Sequence, residues 1–367
     1  MTASSPIDKA TQGALGRIRA DVQSMHAYAV QDARGMLKLD AMENPFSLSP
    51  ELQAALGTRL GALALNRYPG DRSGDLQRAL AAHAGMPAGF SLMLGNGSDE
   101  LISLLAMACD LPGAAILAPV PGFVMYAMSA QLQGLRFVGV PLSADFELDL
   151  PAMLDAIARE KPAIVYLACP NNPTAKLWDE LAIERIVAAQ GANDGLVVID
   201  EAYQPFAGRS YIDRIARHDH VLLMRTLSKF GLAGIRLGYL MGPAALIAEI
   251  DKVRPPYNIS VLNCECALFA LEHAEVFEQQ AQEIRRQRTR IAAALAGMQD
   301  VKSWPSDANM ILVRVPDAKK TFEGMRARGV LVKNVSKMHN LLANCLRLTV
   351  GTADENTQML AALEASL

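Results

Sequence analysis

The sequence predicts a large α/β domain built on a mostly parallel sheet, followed by a smaller α+β domain. Two observations carry this. Between about residue 75 and residue 262, short apolar runs alternate with segments of helical period, and after residue 263 that alternation stops. Strands that alternate with helices build a parallel sheet covered on both faces. A third observation is the 51% hydrophobic against 20% charged residues in a chain of 367, which suits a protein with a sizeable core.

Each element can be justified in turn. Residues 1–51 are irregular and assigned to an N-terminal arm that packs with the small domain. Its first ten or so residues read as a flexible leader, and MTASSPIDKATQGALG lacks the apolar core of a secretory signal. Residues 52–262 form the large domain. There LQRALAAHA is helical, FSLML a strand, DELISLLAMAC helical, AAILAPV a strand, FVMYAMSAQLQ helical and LRFVGVPL a strand. PAMLDAIARE reads as a helix, AIVYLAC as a strand, LAIERIVAAQ as a helix and LVVIDEAY as a strand, with VLLMRTLS and RLGYLMG as two last strands on short connections. Residues 263–367 form the small domain: a strongly helical stretch over 263–300, then ANMILVRV, a helix around KKTFEGMRARG, VLVKN and CLRLTVG. No internal repeat or low-complexity tract interrupts this order.

Composition narrows the function classes. A net charge of −3 argues against nucleic acid or an anionic membrane as partner. No apolar run approaches the roughly 18–20 residues of a membrane span. The five cysteines are scattered and odd in number, which argues against a disulfide framework and fits a reducing cytoplasm. Cys264 and Cys266 form a C-x-C pair with no second pair near in sequence, so no metal motif is read there.

Ligands of open α/β sheets bind beyond the carboxyl ends of the strands, so the residues after each strand matter most. After FSLML comes GNGSDE, opening a helix. Its backbone N–H groups and Ser98 could cradle a phosphate, although Ser98 is also a good N-cap and a plain helix start reads equally from it. It is neither G-x-G-x-x-G nor a P-loop. Phe123 follows AAILAPV, PNNPTAK follows AIVYLAC, Asp200 and Tyr203 end LVVIDEAY, and Ser228 and Lys229 follow VLLMRTL, with Arg236 seven residues on. An aromatic can stack, an amide can bond an oxygen, a carboxylate can pair with a cation, and a lysine can form an imine. Singly these are ordinary loop residues; on one sheet edge they form a catalytic set.

The stretches ENPF, NRYP, GNGSDELI, PNNPT, DEAY, RTLSKFGLAGIRLGY and CLRLTVGT resemble the fold-type I pyridoxal-phosphate (PLP) aminotransferases over nearly the whole chain. Through ENP, NRYP and LSKF-x-LAG-I-R they are similar to the histidinol-phosphate aminotransferase branch. The resemblance implies that Lys229 holds PLP covalently and that Asp200 pairs with its ring nitrogen. It implies that Asn172 and Tyr203 bond the ring's phenolic oxygen, and that Phe123, where the family more often has Tyr, stacks on the ring. Gly97, Ser98, Asp99, Ser228 and Arg236 would hold the cofactor phosphate. Tyr68 of NRYP would reach the neighbouring subunit's cofactor in a homodimer.

For the substrate, the resemblance implies Arg347 as the grip on its anionic group, with Tyr28, Asn44 and Lys333 beside it. Lys333 stands where the family often has an arginine, and Ala175 replaces the glycine of PNNPTG, which puts the geometry of that turn in question. The implied activity is ping-pong transamination between histidinol phosphate and 2-oxoglutarate, or imidazole acetol phosphate and glutamate, in histidine biosynthesis. A broad aromatic aminotransferase or a threonine-phosphate decarboxylase on the same scaffold stays open. A silent PLP-binding regulatory module is disfavoured, because the leader is too short for the DNA-binding segment such proteins carry.

Overall fold

The computed structural model describes residues 9–25 and 31–367. The chain divides into an N-terminal unit ending at Arg34, with helices Lys9–Leu15 and Ala20–Gln23, and a unit from Gly35 to Leu367. The second unit contains thirteen strands. They are β1 (Leu37–Lys38), β2 (Phe90–Gly95), β3 (Ala115–Val120), β4 (Arg136–Pro141), β5 (Ile164–Ala168), β6 (Leu196–Asp200), β7 (Val221–Thr226), β8 (Gly238–Pro243), β9 (Lys302–Ser303), β10 (Met310–Arg314), β11 (Val330–Leu331), β12 (Lys333–Asn334) and β13 (Cys345–Thr349).

Seven of these strands form one sheet in the order β2-β8-β7-β6-β5-β3-β4. All its pairings are parallel except those that β8 makes with β7 and β2. The exception has a plain cause. Only residues 227–237 separate β7 from β8, too few for the crossover helix that a parallel pair needs. The other strands read as continuous apolar runs because both faces are covered. Along β5, Val165 and Leu167 enter one core cluster while Ile164, Tyr166 and Ala168 enter another on the opposite face. Asp200 ends β6, the middle strand of the seven.

A four-stranded sheet, β12-β13-β10-β9, lies within residues 302–349, and β1 pairs in parallel with β11 beside it. VLVKN, expected as one strand, is split at Val332 between these two sheets. The helical stretch breaks at His273 into Val261–Glu272 and Ala274–Ala296. Several helices had no counterpart in the sequence reading, Pro50–Gly61 and Ala353–Glu364 the longest among them. Pro50–Gly61 buries no residue, so it lacks a strong apolar stripe. Ala353–Glu364 starts in a capping box of Thr352 and Glu355, a signal that is legible in the sequence. Among the described residues, no helix is long and apolar enough to cross a membrane.

The Ala175 turn keeps its shape. Ala175 has φ 61°, the left-handed region that favours glycine, and is fully buried. The strain of roughly 1–2 kcal/mol is partly offset by burial of the methyl group among Tyr203 and Phe206, worth about 0.8 kcal/mol.

One close approach sets the site's floor. A Cβ on Gly238 of β8 would lie 2.7 Å from both the Gly97 carbonyl carbon and the Ser98 amide nitrogen. Both are backbone atoms, so no rotamer change relieves the clash. Gly238→Ala should therefore destabilise the protein by about 1–3 kcal/mol in denaturant unfolding. An unchanged midpoint would show that the turn at Gly97 yields freely.

Candidate active site

Nine of the residues singled out above line one cleft of about 580 Å³ at the carboxyl ends of the parallel strands. Lys229 enters it from a tight turn after β7. Its Nζ donates to the Ala41 carbonyl oxygen at 2.8 Å and lies 5.9 Å from the centre of the Tyr203 ring. Burial pushes the amine down to about 8, helped by the Arg347 and Arg236 guanidiniums and opposed by Glu43 and Asp99. The shift matters chemically. At pH 7 an ordinary lysine is unprotonated about once in three thousand molecules, and one near 8 about once in ten.

Two successive carboxylates are buried at the end of β6, and they are treated oppositely. Glu201 accepts from Arg225 Nε at 3.0 Å, from Ser210 Oγ at 2.9 Å and from the Tyr211 backbone. It is a neutralised structural group. Asp200, 3% exposed, accepts from Tyr126 Oη at 2.7 Å and the Ala202 amide at 3.0 Å, and among the described residues it forms no ion pair. Burial pushes it up to about 6, against the pull of Tyr126 and Ala202. A buried carboxylate that faces a cleft without a cation is a receptor for one.

The phosphate-cradle residues converge at the other end. Gly97 has φ 80° and precedes the helix Ser98–Ala108. A Cβ there would lie 2.5 Å from Arg236 Nη2, so the glycine lets the guanidinium reach the helix start. Arg236 donates to Ser228 Oγ at 3.2 Å and to Asp99 Oδ2 at 3.1 Å. Arg236 itself adopts φ 49°, a left-handed backbone costly for a non-glycine residue. Phe123 lines the cleft at the start of the helix Val124–Gln133.

Arg347, on β13, donates to Asn172 Oδ1 at 2.7 Å and to the Asp40 carbonyl oxygen at 2.7 Å. With its oxygen bound to Arg347, the Asn172 amide keeps its NH₂ group for another acceptor. Lys333 is the direct cross-strand partner of Arg347, so the two side chains share a face. Asn44 does not line the cleft. Its amide donates to Gln280 at 2.9 Å and to the Phe230 carbonyl oxygen at 3.4 Å, which braces the turn that carries Lys229. Tyr68 is 74% exposed and stacks on the exposed Tyr257 at 4.2 Å, away from this cleft. Tyr28 lies outside the described residues.

Sequence reasoning missed Tyr126 and the segment Asp40–Met42. Tyr126 stands three residues after Phe123, one helical turn on, which is the signal that could have found it. The segment receives bonds from Lys229, Arg347 and Asn309, and Met42 holds φ 52°. Nothing in its local sequence announces that role.

Residues 34–363 match the family described as aminotransferase class I and II. The histidinol-phosphate aminotransferase of Polaromonas naphthalenivorans is 72% identical over 350 residues, covering 95% of this chain and 96% of that protein. That of Paracidovorax citrulli is 70% identical over 363 residues, covering 96% and 98%. The fold also matches the crystal structure of the Sinorhizobium meliloti histidinol-phosphate aminotransferase in complex with pyridoxal-5'-phosphate, with a TM-score of 0.81, 26% identity and coverage of 95% and 96%. The chain therefore belongs to the class I and II aminotransferases, in their histidinol-phosphate aminotransferase branch.

Proposed function

We propose that this protein is a PLP-dependent, ping-pong aminotransferase that passes an amino group from glutamate to imidazole acetol phosphate, giving histidinol phosphate in histidine biosynthesis. The observation that carries the reading is Asp200, a buried carboxylate without a cationic partner in the cleft that Lys229 enters. A protonated ring nitrogen is the cation it lacks. The cradle of Gly97, Ser98, Ser228 and Arg236 suits a phosphate dianion, and Phe123 offers an aromatic face. The residues present fit PLP.

When bound, PLP supplies an aldehyde that carries the amino group and a cationic ring that withdraws electrons from the substrate Cα. Asp200 keeps a proton on the ring nitrogen. Asn172, through the NH₂ that Arg347 leaves unused, and Tyr203 hold the ring oxygen. Ser98, Asp99, Ser228 and Arg236 fix the phosphate end. Lys229 anchors the cofactor, then takes the proton from the substrate Cα. Arg347 grips the substrate's phosphate in one half-reaction and the carboxylate of glutamate in the other, with Lys333 and Tyr28 completing that end. The working form is a cytoplasmic homodimer. Tyr68, exposed on one subunit and stacked on Tyr257, crosses to the cofactor phosphate of its neighbour. Its domains are those drawn from the sequence, with a large one over 52–262 and a smaller one formed by 1–51 and 263–367.

Borohydride should fix the cofactor to Lys229, as peptide mapping will read. Label on another lysine refutes the assignment. Lys229→Ala should abolish turnover and still bind PLP without a covalent bond.

Asp200→Asn should cost several orders of magnitude in rate. Its stability should move the other way. Asp200 titrates near 6 in the fold, above its unfolded value, so between pH 4 and 6 the folded state binds more protons than the unfolded one. Stability then falls as pH rises through that window, and the cost is fully present above 6. Cofactor-free Asp200→Asn should thus be more stable than the parent at pH 7, by roughly 1–3 kcal/mol. The advantage should shrink as pH drops below 6 in thermal melts. A gain that does not vary with pH contradicts an ionised buried carboxylate.

Histidinol, which lacks the phosphate, should react far more slowly than histidinol phosphate, because it forgoes the charge-assisted bonds that a phosphate makes to Arg347. Arg347→Ala should lower kcat/KM roughly 100-fold or more in both half-reactions, whereas Lys333→Ala should hurt the phosphate substrate more. Single-turnover bleaching of the cofactor by one amine at a time measures this. Similar constants for histidinol and its phosphate, or faster reaction with phenylalanine, would reassign the protein as a general aromatic aminotransferase.

A further inference from the structure

We infer that Tyr126 is a positioning residue for the transamination, and that its buried hydroxyl fixes the Asp200 carboxylate at the ring-nitrogen end of the cleft. The inference rests on the reading of Asp200 as the ring nitrogen's partner. Tyr126 is 2% exposed on the helix Val124–Gln133 and donates to Asp200 Oδ2 at 2.7 Å, while the Ala202 amide donates to Oδ1 at 3.0 Å. One bond on each oxygen stops the carboxylate from turning about its Cβ–Cγ bond. Tyr126 is itself pinned. Its ring stacks on Tyr166 of β5 at 4.3 Å and 9°, and meets Phe123 edge-on at 5.6 Å and 86°. Phe123 lines the cleft, so one helical turn supplies both the ring that faces the cofactor and the hydroxyl that steadies its carboxylate.

The charged and titratable groups around Asp200 explain why a neutral donor is placed there. Asp99, from the start of helix Ser98–Ala108, and the adjacent Glu201 both raise its proton affinity; Lys229 and Arg236 line the same cleft, but among the described residues Asp200 forms no ion pair. Only Tyr126 and the Ala202 amide favour the anion. A lysine or arginine at position 126 would neutralise Asp200 outright and leave no charge for the ring. A tyrosine hydroxyl holds the carboxylate and leaves its charge available. Tyrosine also keeps its own proton and so remains a donor to Asp200, since burial beside Asp200 pushes its hydroxyl well up.

The same stack contains its own control. The hydroxyl of Tyr166 is buried and has no hydrogen-bond partner among the described residues. Tyr126→Phe and Tyr166→Phe delete the same atom from adjacent rings, and only the first loses a bond to Asp200. In Tyr126→Phe the dissociation constant for PLP should rise about tenfold. The kcat value should fall about tenfold with a smaller change in KM, as for the loss of a hydrogen bond to a charged group. The acid limb of the pH–rate profile, and of the bound cofactor's absorbance titration, should move to higher pH. The carboxylate that must stay ionised has then lost a donor. Tyr166→Phe should leave the dissociation constant and both pH limbs in place, with a Tm equal to the parent's or higher.

The inference is overturned if Tyr126→Phe keeps the parent's PLP affinity and acid limb, even with a lowered Tm, since that would be packing alone. It is also overturned if Tyr166→Phe reproduces the Tyr126→Phe changes. A parent protein that binds no PLP refutes the proposed function instead, and the inference with it. Normal PLP binding by the parent, with no difference in Tyr126→Phe, refutes the inference alone.

Discussion

The structure is organised around one costly act, the burial of a carboxylate at the end of the middle strand with no cation beside it. Asp200 could have been neutralised as its neighbour Glu201 is, by an arginine, a hydroxyl and a backbone amide. It is held by two neutral donors, which lower its proton affinity by less than burial raises it. An unpaired buried charge costs several kcal/mol unless something compensates. The compensation here has two parts. The parallel sheet, apolar on both faces, supplies enough buried area to carry the cost. In the proposed reaction, the ring nitrogen of the cofactor would supply the missing positive charge.

Lys229 repeats the bargain with the opposite sign. Its amine is pushed down to about 8 by burial and by Arg347 and Arg236, so the folded protein holds fewer protons there than the unfolded chain between pH 8 and about 10.5. Stability therefore rises with pH across that window, and the penalty is fully present below 8. Asp200 imposes its own penalty above 6. Between pH 6 and 8 the protein without its ligand carries both. That is also the range in which a carboxylate must be ionised and a lysine must be able to lose its proton, so the instability and the chemistry have one origin.

Much of this was legible in the sequence, and the reason is periodicity. Strands buried on both faces announce themselves as short apolar runs, and an α/β sheet puts its ligands at the strand ends, so Asp200, Ser228 and Lys229 could be singled out by position, while Asn172 was named through the resemblance. What could not be read are contacts between distant segments. The bond from Arg347 to Asn172 spans 175 residues, and no local pattern encodes it. Asn44 looked like a substrate residue from its motif. In three dimensions its amide braces Phe230 and Gln280. The Ala175 turn shows the converse, since an alanine in place of glycine put its geometry in question while tertiary packing holds the left-handed backbone with that alanine.

The distant contacts also explain why so small a cleft needs so long a chain. Asn172 follows β5 of the large sheet, Arg347 sits on β13 of the small one, and the carbonyl oxygens of Asp40 and Ala41 come from the segment after β1. Arg347 bonds both Asn172 and the Asp40 carbonyl oxygen, and Lys229 bonds the Ala41 carbonyl oxygen. The group proposed to grip the substrate is therefore also the group that joins the two sheets. Any loosening of one sheet against the other would be felt at once at Asn172 and at the Lys229 amine. In the proposed reaction, substrate binding, cofactor alignment and the packing of the two sheets thus meet at a single guanidinium, whose fork has enough N–H groups to serve them together.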